Sequence, residues 1–304
     1  MINAQNKFNE LRLQLNGKNF PLVGAVDYDD VAPLYQNHSE RYQEWLDRSF
    51  QGEMNYLGRG LDRRLNPKLV FPELQSAIVV ARPYAVQPVG NEKLRYARYL
   101  NGQDYHETMK QDLEQIFAAS GLKYKVCVDT SAVLERTWAV LAGLGWIGKN
   151  TLLIHPQLGS YLFLAVVFTD QKFHQPLQLQ KDYCGNCDKC MKACPTQAIV
   201  RPHDLDARKC VSYLTLEKRG DWSEPVNTAG FLAGCDICQE VCPYNTKPVK
   251  YAELGETAPH LVFDEEKLLS ETEEEYKIRV AGTALSRVKY QDFQRNLAAA
   301  MKRS

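Results

Sequence analysis

At 304 residues, with 44% hydrophobic and 24% charged side chains, the chain has an ordinary globular composition and room for one substantial core plus a smaller module. Its 37 basic residues balance its 37 acidic ones, which excludes a global polyanion-binding field and leaves only local patches, Arg59, Arg63, Arg64 and Lys68 or Lys209, Lys218 and Arg219, a kind of feature that is usually plain solvated surface. MINAQNKFNELRLQL has no signal core or twin arginine, and no run reaches the roughly 18 apolar residues of a membrane span, so a cytoplasmic protein without membrane contact is expected.

Along the chain, Phe8, Leu11 and Leu15 recur at helical spacing, PLVGAVDY reads as a strand, and Tyr42, Trp45, Leu46 and Phe50 mark a second helix. SAIVVARPY is a strand. DYHETMKQDLEQIFAASG is a helix with Met109, Leu113, Ile116 and Phe117 on one face and Gly121 as its stop. YKVCV is a strand ending on Asp129, and AVLERTWAVLAGLG is a helix that DTS precedes in the manner of an N-cap. TLLIH and YLFLAVVF are two strands expected to pair antiparallel around PQLGS. Such a mixture favours a layered α/β or α+β domain over residues 1–175 rather than a purely parallel sheet. Over 176–250 prolines, turn residues and cysteines replace the long apolar periods, as in a small metal-organised module. The segment 251–304 carries the acidic stretch ETEEEY and a final helix, YQDFQRNLAAAMKRS, expected to pack or face solvent without chemistry.

Nine cysteines in a reducing compartment point to metal rather than to disulfides. Cys184, Cys187, Cys190 and Cys194 with Pro195 form C-x2-C-x2-C-x3-C-P, a bacterial ferredoxin run whose fourth cysteine serves the other cluster. Cys210, Cys235, Cys238 and Cys242 with Pro243 form a second group. Exchanging the distal cysteines gives one 4Fe-4S cluster on Cys184, Cys187, Cys190 and Cys242, and another on Cys194, Cys210, Cys235 and Cys238. A pair of structural zinc sites is the alternative, and the uninterrupted run with two C-P endings weighs against it. Cys127, alone in an apolar strand, is a core residue. Two clusters carry electrons but break no substrate bond, so the larger domain must hold an acceptor. It contains no GxGxxG after a strand and no P-loop, which leaves nicotinamide and nucleotide binding without a motif.

DRRLNPKLVFP, ARYLNGQDYH, VDTSAVLERTWAVLAGLGWIGKN and the dicluster module, in that order from about residue 20 to 250, resemble epoxyqueuosine reductase, the cobalamin-dependent enzyme of tRNA queuosine synthesis. The resemblance implies a base-off cobalamin between a nitroreductase-like α/β domain and the ferredoxin-like module, followed by a short helical segment. It implies reduction of an epoxide on a modified guanosine in the tRNA anticodon loop, with electrons from an external low-potential donor, in a protein expected to be a monomer. It makes Asp129 the proton donor, which at an ordinary pKa of about 3.9 requires burial to raise it. For cobalamin contacts it implies Asp129, Arg64, Arg98, Tyr105, His106, Lys149 and Asn150, with the turn residues His155, Gly159 and Ser160 as further candidates; Arg64 in a surface ion pair is the structural alternative. DYHETM falls short of the D-x-H-x-x-G ligand motif because Met109 replaces its glycine, so His106 is a pocket wall rather than a cobalt ligand. Many members continue into a C-terminal helical repeat, and GTALSRVKYQDFQRNLAAA resembles only its lead-in. The competing readings are a reductive dehalogenase, usually marked by the twin arginine missing here, a plain dicluster electron carrier, which bound corrinoid would eliminate, and a cobalamin-trafficking protein, which needs no cluster ligands.

Overall fold

Strict alternation along two apolar strands organises the larger domain. The computed structural model describes residues 2–84, 87–246 and 258–302. Helix α1 (Ile2–Gly17) leads into strand β1 (Leu22–Asp27), α2 (Tyr28–Asp47), α3 (Leu61–Leu65) and β2 (Ser76–Pro83). After the short strands β3 (Val89–Gly90) and β4 (Arg95–Tyr96) come α4 (Tyr105–Ala118), β5 (Tyr124–Cys127), α5 (Glu135–Leu141), β6 (Trp146–Ile147), β7 (Leu153–Ile154) and β8 (Leu162–Thr169). A wholly antiparallel sheet runs β1-β2-β8-β5. Successive side chains point to opposite faces. Ala77, Val79, Ala81, Val166 and Phe168 therefore join Tyr35 of α2 and Trp138 of α5 in one core, while Ile78, Val80, Ala165 and Val167 meet α1 and α4 in another. The result is an α+β sandwich with helices on both faces. Cys127 lies fully buried in the first core, as its apolar strand implies.

The expected hairpin between TLLIH and YLFLAVVF does not form. β7 pairs with β6, while β8 pairs along its full length with β2 and, over residues 166–169, with β5. A single bridge between His155 and Gly159 closes the PQLGS turn. Gly159 sits at φ +69°, where a Cβ would fall 2.0 Å from Asn245 Oδ1, so the turn is shaped by what it packs against rather than by strand pairing.

The cysteine-rich region adds α6 (Lys189–Ala193), β9 (Ile199–Arg201), β10 (Asp204–Leu205), α7 (Val211–Leu216), β11 (Phe231–Ala233) and α8 (Ile237–Glu240). The last helices are α9 (Glu265–Ser270), α10 (Glu273–Val280) and α11 (Tyr290–Met301). β11 pairs parallel with β4, which itself pairs with β3, and this small sheet shares a core with Tyr276, Phe293 and Leu297. Asn296 of α11 is fully buried and donates to the carbonyls of Thr215 and Leu232 at 2.8 and 2.9 Å. The final helix is thus a packing element. Among the described residues no helix is long and apolar enough to cross a membrane.

Trp138 fills the space between sheet and α2, with ring centroids 4.9 Å from Tyr35 and 5.4 Å from Phe168. Trp138→Ala leaves a large cavity there and is expected to lower unfolding free energy by about 3–5 kcal/mol. Urea unfolding of the variant checks this, and a loss below about 1 kcal/mol would contradict the packing described.

Candidate active site

Asp129 does not cap α5. That helix starts only at Glu135, its N-cap is Leu134 without a side-chain cap bond, and residues 129–134 form a loop. Asp129 instead stands at φ +50° in a three-residue turn closed by the Thr130 N–H donating to the Val128 carbonyl at 2.5 Å. A left-handed conformation at a residue other than glycine costs of order 1–3 kcal/mol and persists only where its surroundings enforce it. Here a histidine does so. His106 Nε2 donates to Asp129 Oδ2 at 2.8 Å, and His106 Nδ1 donates to Asp104 Oδ1 at 2.5 Å. Asp104 is the N-cap of α4, its Oδ1 also accepting the backbone N–H of His106, so the helix start and the imidazole are set by one carboxylate. Arg287 of the C-terminal segment approaches Asp104 at 3.7 Å. Tyr105 stacks at 10° on Phe163, centroids 4.1 Å apart, and lies 3.9 Å from the His106 ring.

The Asp129 side chain keeps 58% of its surface open, and the next residues, Thr130 and Ser131, line a pocket, so Asp129 stands at the rim of a cleft. Burial alone would raise its pKa, but the hydrogen bond and charge of His106, with Arg287 and Arg136, outweigh burial and hold it below the usual carboxylate value. This is opposite to the shift expected of an isolated proton donor. Burial disfavours charge on His106 too, and there the two carboxylates outweigh it and raise the pKa. The proton of the pair therefore rests on His106. Glu135 behaves differently: burial first, and then the charge of Asp129, pushes it up to about 8, and its Oε1 is sealed from solvent with no hydrogen-bond partner among the described residues.

Eight of the expected contact residues fall into two groups, while the side chains of Arg64 and His155 make local hydrogen bonds. Tyr105, His106 and Asp129 gather at the cleft. Arg64 is buried at the end of α3, its guanidinium donating to the Arg59 carbonyl at 3.0 Å, which excludes the surface ion pair. Arg98, Lys149, Asn150, Gly159 and Ser160 instead line the seam with the cysteine-rich region. The Arg98 N–H donates to Asp236 Oδ2 at 2.7 Å, and its guanidinium reaches Glu240 at 3.2 Å. Lys149 donates to the Gly185 carbonyl at 2.6 Å and Asn150 to that of Cys238 at 3.4 Å. The Ser160 N–H donates to Asn245 Oδ1 at 2.7 Å, while its hydroxyl donates to Gln239 Oε1 at 2.8 Å. His155 Nδ1 accepts the N–H groups of Gln157 and Leu158, and burial lowers its pKa. Asp104, Asp236, Gln239 and Asn245 are absent from the sequence reading. Only Asp104 had a local signal, as a cap before YHETM.

Eight thiols gather in two neighbouring groups. Burial raises the pKa of Cys190 and Cys242, and each is raised further by Cys184 and Cys187. Cys210 is half-buried and feels Cys194, Cys235 feels Cys210 and Cys194, and Cys238 feels Cys235 and Cys210. Cys238 also feels Cys190, so the groups adjoin. Half-buried thiols that repel one another as thiolates call for a cationic centre in each group. Among the described residues no three His, Cys, Asp or Glu side chains converge on a single metal ion; a cubane asks for less convergence, since its four thiolates stand on four irons.

Residues 183–245 match the family model described as a 4Fe-4S double cluster binding domain, and residues 64–130 match that of epoxyqueuosine reductase QueG, DUF1730. The epoxyqueuosine reductase of Cyclobacterium marinum is 34% identical over 90% of this chain and 92% of its own, and that of Pseudomonas aeruginosa is 35% identical over 93% and 81%. The chain belongs to the epoxyqueuosine reductase family. Among solved members, one holding a tRNA-Tyr epoxyqueuosine-modified stem loop matches with a TM-score of 0.83 at 27% identity, covering 98% of this chain and 81% of that one. The Bacillus subtilis member, solved with its catalytic aspartate loop swung out of the active site, matches with a TM-score of 0.82 at 26% identity over 98% and 82%.

His106 binds its proton more tightly in the folded chain than in the unfolded one. Its contribution to stability is therefore fully present below its usual pKa of about 6.5 and is lost as pH rises through the raised folded value. The difference in urea midpoint between the natural chain and His106→Gln is expected to be largest below about pH 6 and to shrink as pH rises above that. A difference that grows with pH would contradict the arrangement.

Proposed function

We propose that the chain reduces epoxyqueuosine to queuosine in the anticodon loop of tRNA, the last step of queuosine synthesis. The observation that carries this reading is the Asp129–His106–Asp104 array in a cleft of a chain that shares 34% identity with a named epoxyqueuosine reductase over nine-tenths of its length. In the reaction both oxirane carbon–oxygen bonds break, a carbon–carbon double bond forms, and the oxygen leaves as water, with two electrons and two protons consumed.

The residues fit the groups this chemistry needs. Cys184, Cys187, Cys190 and Cys242 would hold one 4Fe-4S cluster and Cys194, Cys210, Cys235 and Cys238 the other, in keeping with the two groups of mutually repelling thiols. At the seam the Tyr161 hydroxyl is buried with no hydrogen-bond partner among the described residues, a polar atom suited to an amide-rimmed ligand. Base-off cobalamin bound between that seam and the cleft would supply low-potential electrons to the epoxide, with Arg64, Arg98, Tyr105, His106, Lys149, Asn150, His155, Gly159 and Ser160 as its contacts. The protein supplies the protons. Asp129 Oδ2, hydrogen-bonded to the His106 Nε2–H, passes a proton to the oxygen as negative charge develops there, while Asp104 keeps the imidazole oriented and favours its charged form.

Residues 1–175 serve as the cobalamin-binding catalytic domain, 176–250 as the electron-carrying module and 251–304 as a helical buttress. The protein acts as a cytoplasmic monomer fed by an external low-potential donor.

Anaerobically reconstituted protein is expected to hold about eight iron and eight sulfide per chain, whereas one zinc per cysteine set would overturn the cluster assignment. Asp129→Ala is expected to keep its cobalamin and lose turnover by about 100-fold or more. Normal turnover by that variant would remove Asp129 from the mechanism.

A further inference from the structure

The two basic patches of the sequence meet different fates in the fold. Lys218 pairs with Glu53, and Arg219 lies 3.2 Å from Asp292, so the second patch is largely satisfied internally. The first is not. Lys68 turns aside to lie over the Tyr28 ring at 5.1 Å, but Arg59, Arg63 and Arg64 line a pocket of about 390 Å³ together with Lys125 of β5. No acidic residue lines it, and none of the four cations makes an ion pair among the described residues. Arg64 is buried and is already given to cobalamin in the proposed function, so three exposed cations, Arg59, Arg63 and Lys125, repel around one concavity, and an anion relieves that repulsion.

Two further features say which anion. The wall opposite α3 is Thr130 and Ser131, the residues that directly follow Asp129, so the pocket opens beside the reactive turn. Tyr56 also lines it, 48% exposed and within electrostatic reach of Asp129. A free phosphate has no use for an exposed aromatic ring. Single-stranded nucleic acid uses both, cations along its backbone and rings against its bases.

We propose that this pocket binds the ribose–phosphate backbone of single-stranded RNA flanking the nucleotide presented to Asp129, with Tyr56 stacking on a neighbouring base. The inference rests on the proposed function only in taking the substrate to be RNA.

The test uses the cluster-loaded full chain and a tRNA anticodon stem loop with plain guanosine at the target position, so that binding is read without reaction. Anisotropy titrations between about 50 and 200 mM salt give affinity and its salt slope. The exposed cations are removed together as Arg59→Gln, Arg63→Gln and Lys125→Gln; buried Arg64 is left in place. Affinity is expected to fall about tenfold or more, with the slope of log K against log salt shallower by about 0.7 per cation removed. Tyr56→Leu is expected to weaken binding about tenfold with the slope unchanged. Iron content and cobalamin uptake should be retained in both variants. Unchanged affinity and slope in the triple variant would overturn the proposal, as would loss of cobalamin uptake with RNA binding intact, which would give the pocket to the cofactor. Reduction of an epoxyqueuosine stem loop by the natural chain is followed in parallel. If that proceeds while the triple variant binds RNA normally, only the pocket assignment fails; if RNA binds through the pocket but is never reduced, only the proposed function fails.

Discussion

The hydrogen-bonded seam between the α+β domain and the cysteine-rich module governs what the molecule can do. Electrons stored on thiolate-held clusters are useful only if the module stays fixed against the cleft where Asp129 lies. The seam achieves this with buried polar contacts: Arg98 to Asp236, and Ser160 to Asn245 and Gln239. Asp236 shows the cost. Burial pushes its pKa up to about 6 even though the Arg98 N–H and guanidinium pull the other way. Such groups are destabilising unless every partner is in place, so they specify one docking geometry rather than adding much net stability.

At the other side of that geometry, backbone strain and proton placement are coupled. Asp129 adopts a left-handed turn and faces His106, which Asp104 holds from behind. A lone carboxyl in a cleft would need burial to keep a proton near neutral pH. This site keeps the carboxylate charged and stores the proton on the adjacent imidazole. Nearby Glu135, pushed up to about 8, is a second buried acid reached by the field of Asp129. Two proton-holding groups thus adjoin a site whose proposed reaction consumes two protons.

Local chemistry was readable in the sequence and tertiary pairing was not. The cysteine run was legible because three of its ligands lie within seven residues, and the strands at Ser76–Pro83 and Leu162–Thr169 were legible because both are continuously apolar. The partner of the second strand was not, because nothing in YLFLAVVF distinguishes a neighbour seven residues away from one eighty residues upstream. Asp129 resembled a helix cap because DTS before an apolar helix has that local meaning, and only the His106 contact reveals the turn. Asp236 and Asn245 carried no signal, since their role exists only once the module has docked. Arg98, Lys149, Asn150 and Ser160 were singled out through family resemblance, and the fold supplies a physical role for them at the seam that the resemblance did not state.

The proposed reaction requires electrons to enter at the thiol module and leave through an epoxide placed at Asp129. The most direct measurement is an anaerobic incubation of epoxyqueuosine-containing tRNA with the cluster-loaded chain, cobalamin and a low-potential reductant, followed by mass analysis of the product nucleosides. Conversion to a nucleoside lighter by one oxygen is the predicted result; epoxyqueuosine recovered intact from fully loaded protein would contradict it.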